Sequence, residues 1–322
     1  MIRIILKIIL SVIVFIGTPL TFLSSLWLKF VKRSGSGKIG NEIFMMLGIF
    51  PVLDHYYQPM INPKKHLTKS LRTERDLHGI EFNVEEQLNL LAKFNYNKEL
   101  LSFPLSNNKD NKYYYNNGSY GSGDAEYLYN MIRHFKPNRL IEIGSGYSTL
   151  MVRNAINFNM LDNPNYTCHH ICIEPYEQPW LEKIEVELIR EKVENIDKSF
   201  FKSLESNDIL FIDSSHVIRP QGDVLFEYLE ILPILKSGVI IHIHDIFTPR
   251  DYLDDLIYRH HFLWNEQYLL EAFLTFNSEF KIIGALNYLS HNYIEKFAEK
   301  CPIFAEQQSR EPGSFWMIKN NT

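Results

Sequence analysis

The chain has 322 residues, of which 45% are hydrophobic, so it can bury a large core and is not a mostly disordered protein. The formal net charge is −5 and the basic residues are scattered apart from one N-terminal cluster, which excludes the basic face of a nucleic-acid-binding protein. Three cysteines are too few for a disulfide scaffold and indicate a reducing compartment.

An uncharged stretch of 21 residues runs from Ile8 to Leu28. As a helix it would be about 31 Å long, enough to cross the hydrocarbon layer of a bilayer. Basic residues flank both ends, and the larger number after the stretch favours a cytoplasmic C-terminal side. We therefore expect one membrane-spanning helix within residues 1–33. A cleaved signal peptide and an interfacial or buried helix are the alternatives.

Residues 34–114 are predicted to form an N-terminal extension or lid without internal repeats. It begins with SGSGKIG (34–40), which is typical of a flexible linker, and contains one predicted helix near VEEQLNLLAKF (84–94). DHYYQPMINPKKHL (54–67) and, farther on, NKYYYNNGSYGSGD (111–124) are rich in Tyr, Asn, Pro and Gly. We interpret both as irregular segments that either stack on a sugar or aromatic ligand or pack as a lid.

A regular pattern begins at Asp124 with a predicted helix that Pro137 ends. Four short apolar runs follow, and each ends in an acid: LIE at Glu142, ICIE at Glu174, ILFID at Asp213 and VIIHIHD at Asp245. Such runs with helical patterns between them predict parallel strands covered by helices on both faces. A further strand is expected around residues 184–188, and a helix over residues 224–232 that Gly238 follows.

The pentapeptide CHHIC (168–172) contains potential metal ligands. No second ligand pair at zinc spacing follows it, and alternating side chains that lead into an apolar strand explain the pattern. We therefore predict the start of a strand there.

The four acids are expected at one edge of the sheet, where open parallel sheets bind ligands. Carboxylates so placed repel each other unless a positive ligand is bound. The turn Gly144-Ser145-Gly146-Tyr147-Ser148-Thr149 lacks the third glycine of a dinucleotide-binding fingerprint. S-adenosylmethionine, a net cation with a ribose diol, fits better. The glycines allow the backbone to approach the ligand closely, Glu142 would pair with its ammonium group, and Glu174 would accept hydrogen bonds from its ribose hydroxyls.

The chain resembles the class I S-adenosylmethionine-dependent methyltransferases over roughly residues 115–322. EIGSGYS is similar to their first motif, CIEP to the acidic ribose motif, NDILFIDSSH to the fourth-strand motif, and GVIIHIHDIFTPRDY to the fifth strand and its loop. The resemblance implies a sixth strand and an antiparallel seventh, matched by residues 280–289 and 314–319. It implies cofactor contacts from seven residues: Glu142, Gly144, Ser145, Gly146, Ser148, Glu174 and Asp213.

Within that family, the chain is most similar to small-molecule O-methyltransferases, in which the fourth strand ends in an acid and a basic residue follows three positions later. Here these two residues are Asp213 and His216. We expect His216 to be the general base, because a neutral imidazole has a suitable pKa, and its alternative role is to cap the loop. His244 and Asp245 are the other catalytic candidates, whereas His242 is expected in the core. His244 and Asp245 stand where metal-dependent relatives have an Asp-Asn pair of metal ligands, so the sequence does not decide whether this protein binds a metal. Asp213 and Asp245 could still hold one hydrated Mg²⁺.

These observations predict an α/β fold, with a doubly wound, mostly parallel seven-stranded sheet in residues 115–322. The expected function is S-adenosylmethionine-dependent O-methylation of a small molecule or glycan, by a single-pass membrane protein whose catalytic domain faces the cytoplasm. A non-catalytic binding or scaffold protein of the same fold and a metal-dependent hydroxylase-like enzyme are the alternatives. The acceptor and the oligomeric state are left open.

Overall fold

The structure is a computed structural model that describes residues 2–107, 112–176 and 178–320. Contacts divide the chain into two compact units, Met1–Lys69 and Ser70–Thr322. Residues 70–114, part of the predicted extension, thus belong to the same unit as the sheet described below.

The first unit contains four helices: α1 (Ile2–Ile16), α2 (Thr18–Ser34), α3 (Gly37–Leu47) and α4 (Pro63–His66). The helix is interrupted at Gly17. Pro19 lacks an N–H, so it is tolerated in the first turn of α2 but not in the interior of a continuous helix. The single helix expected over residues 8–28 is therefore wrong. The flexible linker expected at 34–40 is also wrong in part, since α3 begins within it.

The two N-terminal helices differ in direction by 57° at this break. Within the described residues, no helix by itself is long and apolar enough to span a bilayer. The segments Ile5–Ile16 and Thr18–Ser34 meet that criterion only when they are taken together.

The second unit is built around seven strands: β1 (Arg139–Ile143), β2 (His169–Ile173), β3 (Glu187–Ile189), β4 (Ile209–Ile212), β5 (Ile240–Ile243), β6 (Phe280–Ala285) and β7 (Phe315–Lys319). They form one sheet in the order β3-β2-β1-β4-β5-β7-β6. β7 is antiparallel to its neighbours β5 and β6, and the other pairs are parallel. The predicted doubly wound, mostly parallel, seven-stranded sheet is confirmed.

In the described residues of this unit, nine α-helices accompany the sheet: α5 (Val84–Ala92), α6 (Asn97–Leu100), α7 (Asp124–Phe135), α8 (Tyr147–Asp162), α9 (Asp223–Phe226), α10 (Glu266–Leu274), α11 (Leu286–Asn292), α12 (Ile294–Lys300) and α13 (Pro302–Glu306). A π-helical turn, Glu227–Ile231, continues α9. Shorter 3-10 and π turns lie at Pro179–Lys183, Val193–Asn195, Lys198–Ser203, Leu232–Ile234 and Asp255–Arg259.

Two hydrophobic cores lie on opposite faces of the sheet. Because successive strand residues point to opposite faces, Leu140 belongs to one core, whereas Ile141 and Ile143 belong to the other. Side chains from α5 to α8 and α11 to α13 fill the first core, and those from α9 and α10 fill the second. The sheet is therefore covered on both faces, which leaves its strand ends free to form a site.

Two element boundaries differ from the sequence prediction. The strand expected around 184–188 forms at Glu187–Ile189, because the preceding residues form a 3-10 helix that buries Leu181. The segment 280–289 is a strand only as far as Ala285, after which α11 begins. Neither difference changes the sheet order.

Candidate active site

Backbone hydrogen bonds align the ends of the parallel strands at one edge of the sheet. The amide of Gly144, after β1, donates to the carbonyl of Ile173 at 3.0 Å. The amide of Asp213, after β4, donates to the carbonyl of Ile143 at 2.9 Å, and a similar bond joins the ends of β4 and β5. The segments that follow β1, β2, β4 and β5 therefore lie side by side at this edge.

Gly144 is required by its backbone conformation and by its close packing. Its φ of +76° lies in the left-handed region, and a Cβ at this position would be 1.9 Å from the carbonyl oxygen of Asp213. Any side chain would collide with the end of β4. Gly146 has an extended φ of −169° and open space around it, so it is not constrained in the same way.

Two adjoining cavities lie above this edge and share Gly144, Glu174 and Asp213 as wall residues. One, of about 260 Å³, extends between Tyr176 and the segments after β3 and β4. The other, of about 200 Å³, extends over the 144–148 loop toward Tyr120. An elongated ligand with two unlike ends would match such a pair of cavities.

Glu174 holds the loop between β1 and α8 in place. One carboxylate oxygen accepts a hydrogen bond from the amide of Ser145 at 3.2 Å, and the other accepts from the amide of Tyr176 at 2.9 Å. The side chain is buried but borders both cavities. It therefore fixes the loop and presents negative charge to whatever occupies them.

Glu142 lies deeper than the sequence analysis expected. It is fully buried within β1 and is not part of the wall of either cavity. One of its oxygens accepts a hydrogen bond from Ser148 Oγ at 2.6 Å, and the other lies 3.1 Å from His170 Nε2. The four acids thus do not form one row: Glu174, Asp213 and Asp245 approach the edge, whereas Glu142 supports the loop from behind.

His216 is surrounded by three carboxylates. Its Nε2 atom is 3.3 Å from Asp213 Oδ1 and 3.6 Å from Asp245 Oδ2, and its Nδ1 atom is 2.8 Å from Glu266 Oε2. Glu266, the first residue of α10, is fully buried and also accepts a hydrogen bond from Tyr228 at 3.2 Å. The imidazole is therefore fixed at Nδ1 and presents Nε2 toward Asp213, a wall residue of both cavities, and toward Asp245.

Burial alone would lower the pKa of His216. The hydrogen bonds to Asp213 and Glu266 and the charges of Glu266 and Asp245 outweigh that effect, so the pKa lies well above the ordinary histidine value. The pKa of Asp213 is lowered although the residue is partly buried, because the neighbouring His244 and His216 favour its ionised form. The cluster is thus a charged network in the ligand-free protein.

The two histidines of β5 and its end have different surroundings. Burial lowers the pKa of His242 well below its ordinary value, and neither of its ring nitrogens has a hydrogen-bond partner in the described parts of the chain. Burial also acts to lower the pKa of His244, but Asp245 and Asp213 raise it overall. His242 is accordingly a neutral core side chain, whereas His244 lies with the charged network and against the Tyr120 ring, 4.9 Å away.

Glu266 is a site residue that the sequence analysis missed. The sequence from Trp264 to Phe276 predicts a helix that covers the sheet, with Trp264 and Asn265 as the residues nearest to the cleft. The Trp264 ring does lie 4.5 Å from the His216 ring, whereas Asn265 accepts a hydrogen bond from the amide of Ile218 and fixes that loop. An acid among the buried positions of a helix was the signal that could have identified Glu266.

The tyrosine-rich segment before α7 is structural in the residues that the structure describes. Tyr113, Tyr115 and Tyr120 are buried in the first core. The hydroxyl of Tyr113 donates to the carbonyl of Tyr120, and that of Tyr115 donates to the carbonyl of Leu100. Of these three, Tyr120 also lines the smaller of the two cavities at the sheet edge. Residues 108–111 lie outside the described part of the chain.

The residues at the edge fit S-adenosylmethionine. The backbone cradle at Gly144 admits no side chain, and the carboxylate of Glu174 borders both cavities, so the edge suits a ligand that carries net positive charge. Among the described residues that line the two cavities, the cationic side chains that a pyrophosphate would need are Lys192 and Arg219, in the larger cavity.

Residues 141–246 match the family model described as a methyltransferase domain. An uncharacterized protein of Archaeoglobus fulgidus is 34% identical over 173 residues, which are 50% of this chain and 76% of that protein. The matched segment runs from within β1 to just after β5 and contains Glu142, Glu174, Asp213 and Asp245.

Two solved structures are similar at lower identity. A candidate protein-L-isoaspartate O-methyltransferase from Plasmodium falciparum, in complex with S-adenosylhomocysteine, has 19% identity and a TM-score of 0.24 over 36% of this chain and 56% of its own. The plantazolicin methyltransferase BpumL, also in complex with S-adenosylhomocysteine, has 17% identity and a TM-score of 0.38 over 74% and 99%. This chain thus spans little more than half the length of the first of these structures.

The family model covers the strand-end acids and the glycine turn after β1. Residues 141–246 of this chain therefore form a methyltransferase domain, consistent with the class I S-adenosylmethionine-dependent methyltransferases.

Proposed function

We propose that the protein transfers the methyl group of S-adenosylmethionine to a hydroxyl oxygen of a small molecule or glycan, with His216 as the general base. The single observation that supports this most strongly is the position of His216. Its Nε2 atom lies beside Asp213, a wall residue of both cavities, and its Nδ1 atom is held by the buried Glu266.

The cofactor roles follow from the cavity walls. Glu174 is proposed to accept hydrogen bonds from the ribose hydroxyls, while Gly144, Ser145 and Gly146 lie against the methionine part. Glu142 is a positioning residue in this proposal, because it acts on the loop through Ser148 rather than lining a cavity. Asp213 contributes negative charge to both cavities beside the cationic sulfur.

S-adenosylmethionine supplies an electrophilic methyl group when it is bound. The protein must hold the acceptor oxygen in line with that methyl and accept its proton as the new C–O bond forms and the C–S bond breaks. His216 Nε2 takes the proton, and Glu266 keeps the proton of Nδ1 in place, as a carboxylate does for a catalytic imidazole. Asp213 and Asp245 then stabilise the imidazolium that results.

A divalent cation is the alternative use of the same groups. Asp213, His216 and Asp245 each offer one ligand atom, and these atoms lie within 4.8 Å of one another. An ion there would replace the proton of Nε2 and polarise the acceptor oxygen instead. Chelation with EDTA separates the two arrangements: turnover by the metal-free base survives chelator, whereas metal-assisted turnover is lost and returns with added Mg²⁺ or Mn²⁺.

The bent helix pair at the N-terminus is proposed to attach the protein to a membrane. Large apolar side chains of α1 and α2, such as Phe15 and Trp27, are exposed within the first unit. S-adenosylmethionine is a cytosolic metabolite, so the second unit is proposed to face the cytoplasm. A reporter fused to the C-terminus and found on the outer side of the membrane would refute this orientation.

The test of the function uses full-length protein in detergent with methyl-labelled S-adenosylmethionine and panels of phenols, alcohols and glycans. We expect a labelled product that survives mild alkali, as a methyl ether does and a methyl ester does not. His216→Gln should lower turnover by about 10²- to 10⁴-fold and leave cofactor affinity within about twofold. His260→Gln, at an exposed position, is the control.

Three results would contradict the proposal. They are an unchanged rate in His216→Gln, methylation only on nitrogen or carboxylate, and cofactor binding without turnover across the panels. The last would identify a binding protein of the same fold.

A further inference from the structure

A second cluster of metal-ligand side chains lies behind the cofactor loop, apart from the His216 network. Glu142 in β1 and His170 and Cys172 in β2 meet on the same face of the sheet, because the register pairs Glu142 directly with Cys172. Glu142 and Cys172 are fully buried, and His170 is 2% exposed. None of the three borders either cofactor cavity.

The three potential ligand atoms form a nearly regular triangle. Glu142 Oε2 is 3.1 Å from His170 Nε2, and Cys172 Sγ is 3.6 Å from each of those atoms. A triangle with these sides has a point about 2 Å from every corner, close to the ~2.0–2.3 Å at which Zn²⁺ binds oxygen, nitrogen and sulfur ligands. The three atoms therefore stand where three corners of a zinc coordination tetrahedron would be.

From this arrangement we propose that Glu142, His170 and Cys172 bind one Zn²⁺ ion in a buried structural site. An imidazole, a thiolate and a carboxylate form a ligand set that suits Zn²⁺ and not Mg²⁺ or Ca²⁺, which prefer oxygen alone. The charges also balance, since one carboxylate and one thiolate neutralise a divalent ion in a place where unpaired charge is costly.

Ser145 supplies an independent observation. Its hydroxyl is buried, with 9% of the residue exposed, and forms no hydrogen bond within the part of the chain that the structure describes. It lies beside the thiol of Cys172. A buried polar oxygen next to one of the three ligand atoms can complete the coordination, either directly or through a water molecule.

The surroundings orient the ligands as an outer shell does in known metal sites. Ser148 Oγ donates to the second oxygen of Glu142, which leaves Oε2 turned toward His170 and Cys172. Metal binding would displace the proton of the Cys172 thiol, because the thiolate is the form that binds a metal. The ion would then join β1 and β2 to the loop that holds the cofactor.

No second ligand pair at zinc spacing follows CHHIC along the chain. The third ligand comes from the neighbouring strand instead: the register of β1 and β2 places Glu142 beside Cys172. Cys168 precedes β2 and is only partly buried, and no potential ligand group within the described residues includes it.

The experiment measures metal bound to full-length protein purified in detergent under reducing conditions without chelator. We expect about one Zn²⁺ per chain by elemental analysis. Exchange with Co²⁺ should produce a thiolate-to-cobalt charge-transfer absorption, which the Asp213 network cannot produce because it contains no sulfur. The variant Cys168→Ser with Cys301→Ser keeps Cys172 as the remaining cysteine and should retain both signals.

Cys172→Ser should lower bound zinc at least tenfold and abolish the cobalt absorption, and His170→Gln should weaken retention. If Cys172→Ser does not fold, the double cysteine variant alone still decides the matter. The proposal is overturned by wild-type protein that retains well under one equivalent of zinc after supplementation, by Co²⁺-loaded protein without thiolate absorption, or by absorption that persists in folded Cys172→Ser. None of these readouts depends on methyl transfer.

Discussion

The chemistry of the site depends on how many negative charges face His216. Three carboxylates surround one imidazole, and two of them, Asp213 and Asp245, lie on its Nε2 side. The third, Glu266, is buried and contacts the other ring nitrogen, Nδ1. In the proposed mechanism Glu266 is a positioning residue that sets both the tautomer and the basicity of His216.

The raised pKa of His216 predicts the pH dependence of methyl transfer. A base must be deprotonated, so kcat/KM should rise with pH through a value above the ordinary histidine pKa of about 6.5. Glu266→Gln keeps a hydrogen-bond acceptor for Nδ1 but removes the charge. The acidic limb of the profile should then move to lower pH, by on the order of one unit, and the plateau rate should fall because the base is weaker.

Glu230→Gln makes the same substitution at an exposed residue paired with Lys198 and should leave the profile unchanged. A merely structural role for Glu266 would lower activity without moving the limb. A limb that stays in place while the folded variant retains cofactor affinity would therefore argue against His216 as the base.

At the scale of elements, Arg133 joins three helices on one side of the sheet. From α7 it donates to both carboxylate oxygens of Glu99 in α6, at 2.9 and 3.0 Å, and to Asp162 in α8 at 2.7 Å. Its side chain is almost completely buried. A planar, bidentate donor at this point fixes the mutual position of helices that the first core alone would hold less specifically.

Arg133→Met should destabilise the protein by about 3 kcal/mol, because it leaves the half-buried carboxylate of Glu99 without its partner. The thermal midpoint of full-length protein should fall by roughly 5–10 °C. Adding Glu99→Gln should recover part of the loss. Arg259→Met, at an exposed pair with Asp255, should shift the midpoint little. An equal fall in both single variants would show that the buried network contributes nothing special.

Elements with a clear hydrophobic pattern in the sequence were predictable, whereas features that depend on contacts between residues distant in the sequence were not. Four apolar runs with terminal acids were sufficient for β1, β2, β4 and β5, because continuous burial leaves few other structures for such runs. The break at Gly17 was missed because hydropathy is uniform across it, although Pro19 was the available signal. Glu142 was predicted to lie at the edge of the sheet, because a strand pattern alone cannot determine how deep in the strand a side chain lies. Glu266 was missed because its partner, His216, is 50 residues away in the sequence.

At the scale of the whole molecule, the two units divide the physical requirements of the proposed function. The second unit, Ser70–Thr322, contains both hydrophobic cores and every described residue that lines the two cofactor cavities. The first unit contains the exposed apolar helices and a cluster of basic residues after them. Cofactor binding and membrane attachment should therefore be separable by truncation.

We expect a chain that begins at Ser70 to bind S-adenosylmethionine with a dissociation constant within about twofold of the full-length value, as measured by calorimetry. The same chain should remain in the supernatant after cell membranes are sedimented, whereas the full-length protein should sediment with them. A tenfold loss of affinity corresponds to about 1.4 kcal/mol of binding free energy, and a loss of that size would give the first unit a part in the cofactor site. A truncated chain that still sediments with membranes would place the membrane-binding surface in the second unit instead of α1 and α2.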